Sequence, residues 1–134
     1  MSGDDDLQRL LRTLSPDLAA EAFVFVSLPG ARYGDHVELS PVASVEEREG
    51  LTLIVPKDRA DEFNVAYEGV FRRISLRAHS SLEACGLSAA ISGALAEQGL
   101  SANIVAGALH DHIFVPNAQA GQALEVLRQL SGSA

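Results

Sequence analysis

An α+β fold of two modules within one folded body, with antiparallel sheets carrying helices on one face, is what this sequence predicts. Three observations point there. Apolar spacing switches repeatedly between the helical period and short strand-length runs. The strings Ile54-Val55-Pro56 and Phe114-Val115-Pro116 each end a strand with proline and begin a helix, and each half reads helix–strand–strand–helix, which suggests an internal duplication. Counted from its leading strand, the second half reads β-α-β-β-α, one strand short of a ferredoxin-like unit. The open sheet edge needs cover, most simply from first-half strands. Two ferredoxin-like modules, residues 1–68 and 69–134, are therefore expected to share one core.

Each element has its own signal. Residues 4–14 place Leu7, Leu10, Leu11 and Leu14 on one helical face. Asp4, Asp5 and Asp6 suit the positive end of that helix, and Ser15-Pro16 ends it. Residues 21–28 form an almost continuous apolar run stopped by Pro29-Gly30, a strand expected to be central because both faces are apolar. Residues 31–41, with Gly34, Asp35 and His36, read as an irregular surface connection. Strands over 42–48 and 51–55 flank Glu49-Gly50, a hairpin turn with glycine at positive φ. Pro56 then opens a short helix over 57–64.

The pattern restarts near Glu68. A strand over 71–78 points Ile74, Leu76 and Ala78 inward and Arg73, Ser75 and Arg77 outward. A polar bend leads into a helix expected from Ser80 to Gln98, with Leu87, Ile91 and Leu95 as its buried stripe and Gly99 at its end. Strands over 102–107 and 112–115 follow. Pro116-Asn117 opens a last helix carrying Ala120, Leu124, Leu127 and Leu130, before a frayed tail over 131–134.

Charge and composition exclude several classes. A formal charge of −8 with scattered basic residues argues against a nucleic-acid partner. The one local concentration, Arg72-Arg73-Arg77, reads as a solvated strand edge. Cys85 is the single cysteine, so neither an internal disulfide nor a thiol pair for zinc can form. The acidic start lacks a secretory pattern, and no apolar run approaches the roughly 20 residues of a membrane helix. A cytoplasmic protein with no membrane association is expected.

The strand-to-helix junction over residues 74–87 is where chemistry concentrates, because a helix N-terminus suits an anion such as a carboxylate. Ser80-Ser81-Leu82-Glu83 fits a capping box, with Ser80 at the N-cap and Glu83 at N3. That role alone accounts for both residues, yet it leaves other N–H groups for a ligand. Inside a helix, Gly86 and Gly93 each cost about 1 kcal/mol relative to alanine. Close packing or ligand approach should compensate, with Gly86 the better ligand candidate. Ala84, Ser88, Ala89, Ala90 and Ser92 keep the same surface thin, which reads as tight packing.

His110 and His112 alternate onto one strand face, and His79 could lie near them. Cys85 and Asp111 are the only obvious further ligands, so no metal or other cofactor is assigned and the histidines read as a pocket rim. Asp111 could pair with an amino or guanidinium group or serve as a turn residue. Asn103 could fix a ligand or be a polar residue on the open sheet face. No nucleophile elbow, phosphate loop or dinucleotide fingerprint is present, so no catalytic residue is assigned and the protein is read as a non-enzyme.

The strings Ile74-Ser75-Leu76, His79-Ser80-Ser81-Leu82-Glu83-Ala84 with Gly86-Leu87, Ala102-Asn103-Ile104-Val105-Ala106-Gly107 and His110-Asp111-His112-Ile113-Phe114-Val115-Pro116 resemble bacterial two-module ACT-domain proteins of unknown function. Glu49-Gly50-Leu51-Thr52-Leu53-Ile54-Val55-Pro56 is similar to the corresponding first-module segment. A more distant likeness is to the ACT modules of the animal cytosolic arginine sensor. The resemblance implies the ferredoxin-like ACT fold and a regulatory protein that binds a small molecule, an amino acid, in a crevice between modules. It supports Asp111 and the loop over residues 80–87 as ligand contacts. In the resulting picture backbone groups of residues 81–87 hold a carboxylate, and Asp111 holds the amine. Asn103, Ile104, Val105, Ala106 and Gly107 form a wall, and His79, His110 and His112 the rim. A homodimer is expected. The competing reading is a protein–protein interaction module of the same fold with no small ligand.

Overall fold

The computed structural model describes residues 6–132. It divides into two compact units: the described residues through Ala19 together with those from Arg72 onward, and Ala20–Phe71. Each unit has its own cluster of buried apolar side chains, and Phe23, Ile54 and Phe114 are buried outside both.

Helix α1 (Leu7–Arg12) starts at Asp6, whose Oδ1 accepts from the Arg9 N–H at 3.3 Å. It is shorter than the leucine spacing suggested, and Asp4 and Asp5 lie outside the described residues. Ser15 turns the chain at a φ of +46°, and Pro16 opens strand β1 (Pro16–Pro29) well ahead of its apolar run. Local pattern does not explain that extension. Neighbours do: Nε and Nη2 of Arg72 donate to the Ala19 carbonyl at 2.9 and 2.6 Å.

The unit from Arg72 holds β4 (Phe71–Leu76), α3 (Leu87–Glu97), β5 (Asn103–Ala106), β6 (Asp111–Pro116), a 3-10 turn Asn117–Gln119 and α4 (Ala120–Gly132). Its strands lie in the order β1-β4-β6-β5, so the start of β1 stands where a ferredoxin-like unit has its closing strand. β5 and β6 are antiparallel, pairing Asn103 with Phe114 and Ala106 with Asp111. Leu10 of α1, Leu14 just beyond it, Ile74 and Leu76 of β4, Ile91 and Leu95 of α3 and Leu127 of α4 meet in one cluster. The stripe Leu87, Ile91, Leu95 is buried as its spacing predicts. Ser131, expected in a frayed tail, is the last turn of α4 and donates to the Arg12 carbonyl at 3.3 Å.

In Ala20–Phe71, β2 (Ala43–Glu47) and β3 (Gly50–Pro56) form a hairpin, α2 (Lys57–Glu62) follows, and the order is β2-β3-β1, antiparallel throughout. Arg48 and Glu49 make the hairpin turn, one residue earlier than expected. Gly50 is already paired, opposite both Glu47 and Pro29, and its φ is +151°. A Cβ there would strike the Leu28 carbonyl oxygen, so close approach to β1 demands glycine. Within α2, the Asp61 carboxylate accepts from Lys57 Nζ at 2.8 Å, and also from the Tyr67 hydroxyl beyond the helix at 2.7 Å. The Lys57 bond, followed by the Tyr67 bond, holds its pKa below the usual carboxylate value.

The duplication survives with one substitution of parts. β4-α3-β5-β6-α4 repeats β1-turn-β2-β3-α2, and Pro56 and Pro116 open their helices at φ/ψ of −56°/135° and −55°/136°. Where the second half has α3, the first has only the 3-10 turn Val37–Leu39, seated by a fully buried Leu39. The first half is thus not helix–strand–strand–helix in its own unit, because α1 packs against α3 and α4. Among the described residues, no helix is long and apolar enough to cross a membrane.

Candidate functional site

The chain leaving β4 is hung on the end of α1, with the Arg77 N–H donating to the Leu14 carbonyl at 3.1 Å. The capping box expected at Ser80 and Glu83 does not form. Ser81 Oγ accepts from the Glu83 N–H at 3.1 Å and the Ala84 N–H donates to the Ser81 carbonyl at 3.0 Å, a tight polar turn that competes with helix. The helix starts at Leu87, and Gly86 is its N-cap rather than an interior residue. Gly86 has a φ of +97°, and a Cβ there would come within 3.2 Å of Leu7 Cδ2, so conformation and packing both call for glycine. Gly93, expected in a tight contact, has open space around it.

This geometry sets the first turn of α3 beside the start of β6. The first intrahelical bond runs from the Ala90 N–H to the Gly86 carbonyl at 2.9 Å, which leaves the N–H groups of Leu87 and Ser88 without intrahelical acceptors. A recess of about 70 Å³ opens there. Ser80, Ser81, Leu82 and Ala84 line one side, Leu87 and Ser88 the helix end, and Ala106 and Asp111 the strands. Asp111 and Ser80 are each only 8% exposed. Ser80 Oγ donates to Asp111 Oδ2 across 3.4 Å, and this is the one hydrogen bond to that carboxylate among the described residues.

Six of the residues singled out in the sequence therefore meet in one recess: Ser80, Ser81, Leu82, Leu87, Ala106 and Asp111. Ala84 and Ser88 join them. Their smallness was visible in the sequence but was read as helix packing.

The remaining candidates sit elsewhere. His79 lies with its ring centroid 6.4 Å from that of His110, whose Nδ1 is buried without a partner among the described residues. His112 Nδ1 and Ser75 Oγ share a 2.8 Å hydrogen bond. Burial, then the charges of Arg73 and His110, lower the His112 pKa from its ordinary 6.5. Asn103 donates to the Phe114 carbonyl at 3.4 Å, and Val105 pairs with His112 across the strands. The Gly107 N–H donates to the His110 carbonyl at 2.9 Å, closing the turn between β5 and β6. Glu83 is exposed and Gly86 serves as the cap. No group of three or more His, Cys, Asp or Glu side chains able to hold a metal ion occurs among the described residues.

A wider groove of about 540 Å³ opens in the other unit beside Phe25, Ser27, Ala66, Tyr67 and Glu68. It is larger but holds no buried ionisable group, so the smaller recess has the stronger chemical character.

Comparison with known proteins agrees with this architecture. Two family models described as the ACT domain match in tandem, over residues 2–72 and 69–129. A Vibrio cholerae protein of unknown function, described as a possible transport protein, is 41% identical, with 95% of this chain and 97% of that one aligned at a TM-score of 0.84. The ligand-free regulatory subunit of aspartate kinase from Thermus thermophilus aligns over 88% of this chain and 97% of its own, with 14% identity and a TM-score of 0.64. Aspartokinase III of E. coli, in complex with aspartate and ADP, aligns over 88% of this chain and 33% of its own, with 12% identity and a TM-score of 0.65. These two share the fold. No curated protein matches the sequence. The chain belongs to the ACT-domain family.

Proposed function

We propose that this chain is a non-catalytic regulatory or sensor protein that binds an α-amino acid in the recess beside Asp111. ACT domains commonly bind amino acids in regulation, and the aspartate kinase subunits named above share the fold. The observation that carries the reading is the buried Asp111 carboxylate, which meets one long hydrogen bond and opens on a recess whose far end is a helix N-terminus. A buried charge with so few partners is costly. An α-ammonium group would relieve it, while the ligand carboxylate would take the N–H groups of Leu87 and Ser88. The modules, residues 1–68 and 69–134, act together in a cytoplasmic homodimer.

Thermal melts of the chain with each amino acid at millimolar concentration test the reading. A ligand at about 100 times its Kd adds about 2.7 kcal/mol to stability, which moves the melting temperature by several degrees. One or a few amino acids should do so, and Asp111→Asn should abolish the shift while the protein still folds. If no amino acid moves the midpoint, the interaction-module reading takes over.

A further inference from the structure

We infer that the recess selects small, uncharged α-amino acids of the glycine, alanine and serine class. The inference rests on the amino-acid reading above and deepens it. Volume is the first argument. About 70 Å³ is room for about five waters at the roughly 15 Å³ each requires, comparable with a zwitterion of about five to seven heavy atoms. Leu87, 4% exposed, closes the floor, so the space cannot deepen without emptying part of the core.

Charge is the second argument. Asp111 is the one ionisable residue in the lining, and the ligand ammonium consumes it. A side-chain carboxylate would meet no cation there and would add to the repulsion from Asp111. A lysine or arginine side chain would find no second anion in the lining. Either must leave by the mouth, where Leu82 stands 71% exposed. Over a small ligand that leucine is free to fold down and bury apolar surface; a long side chain holds it away.

Calorimetric titration of the full chain with glycine, alanine, serine, leucine, phenylalanine, arginine and aspartate tests the inference. Binding of the first three should be at least about tenfold tighter than of the others, the discrimination typical of one or two methylenes in a closed pocket. Ala106→Leu, which fills the recess from an exposed strand position, should remove that binding with the melting temperature unchanged. If leucine or arginine binds as tightly as alanine, and Asp111→Asn abolishes it, the selectivity inference is overturned and the amino-acid reading stands. If none of the seven binds the folded chain, the selectivity inference is overturned, and the melts with the remaining amino acids decide the amino-acid reading.

Discussion

Ser80 Oγ donates to Asp111 Oδ2 across 3.4 Å, tying the loop after β4 to the first residue of β6 with both side chains almost fully buried. The bond is long for a hydroxyl and a carboxylate, whose usual separation is about 2.5–3.0 Å. It positions the carboxylate without saturating it. Asp111→Asn keeps the shape and removes the charge. Because removing one partner of a buried ion pair costs about 3–5 kcal/mol, amino-acid affinity should drop more than about 100-fold, out of reach of a millimolar titration. Ser80→Ala should cost about 1 kcal/mol of stability in urea unfolding and weaken binding less.

Two glycines of the same segment should respond with opposite signs. Gly86→Ala forces an alanine to a φ of +97° against Leu7, a strain of about 1–3 kcal/mol. Gly93→Ala adds a methyl where nothing lies within 4 Å, in an exposed helix interior, and should stabilise by about 0.5–1 kcal/mol. Chemical denaturation of the two variants beside the parent checks both signs. Equal signs would contradict the cap assignment.

That pair also marks how far the sequence could be read. Leu87, Ile91 and Leu95 repeat at helical spacing, so the existence and buried face of α3 were legible. Its start was not. Ser80 and Glu83 carry the residue types of a capping box, but Ser81 closes a turn on Glu83 and Leu82 points to solvent, so the helix begins only after Gly86. A four-residue signal is outweighed when the preceding chain is anchored elsewhere, here by Arg77 on Leu14.

Tertiary partnership was harder still. The leucines of α1 announced an amphipathic helix, yet nothing local says that they pack on α3 and α4. The turn seated by Leu39, standing where the other half has a helix, left no periodic trace in residues 31–41. Asp111 was legible as a candidate because of its place at a strand entrance. Its burial and its pairing with Ser80 depend on register between distant segments.

Acid should weaken the fold through His112. Burial, then Arg73 and His110, lower its pKa in the folded state, so the unfolded chain binds the proton more readily. The neutral ring's contribution is fully present above the ordinary value of 6.5 and is lost as pH falls through the lowered folded pKa. His112→Gln should therefore lose less melting temperature than the parent between about pH 7.5 and 5.5. An equal or larger loss would show that His112 is not disfavoured as a cation.

The core stripe gives a calibration. Ile91 is fully buried in the cluster that also holds residues of α1, β4 and α4. Ile91→Ala should cost about 2–5 kcal/mol in denaturant unfolding, more than the loss of about 1 kcal/mol expected of Ser80→Ala.

The most direct test of the amino-acid site is an NMR titration of the labelled chain with L-alanine or L-serine, followed through backbone amide shifts. The account predicts saturable changes centred on Ser80, Ser81, Ala84, Leu87, Ser88, Ala106 and Asp111, absent in Asp111→Asn. Unchanged spectra at millimolar ligand, or changes centred on Phe25 and Tyr67 instead, would contradict it.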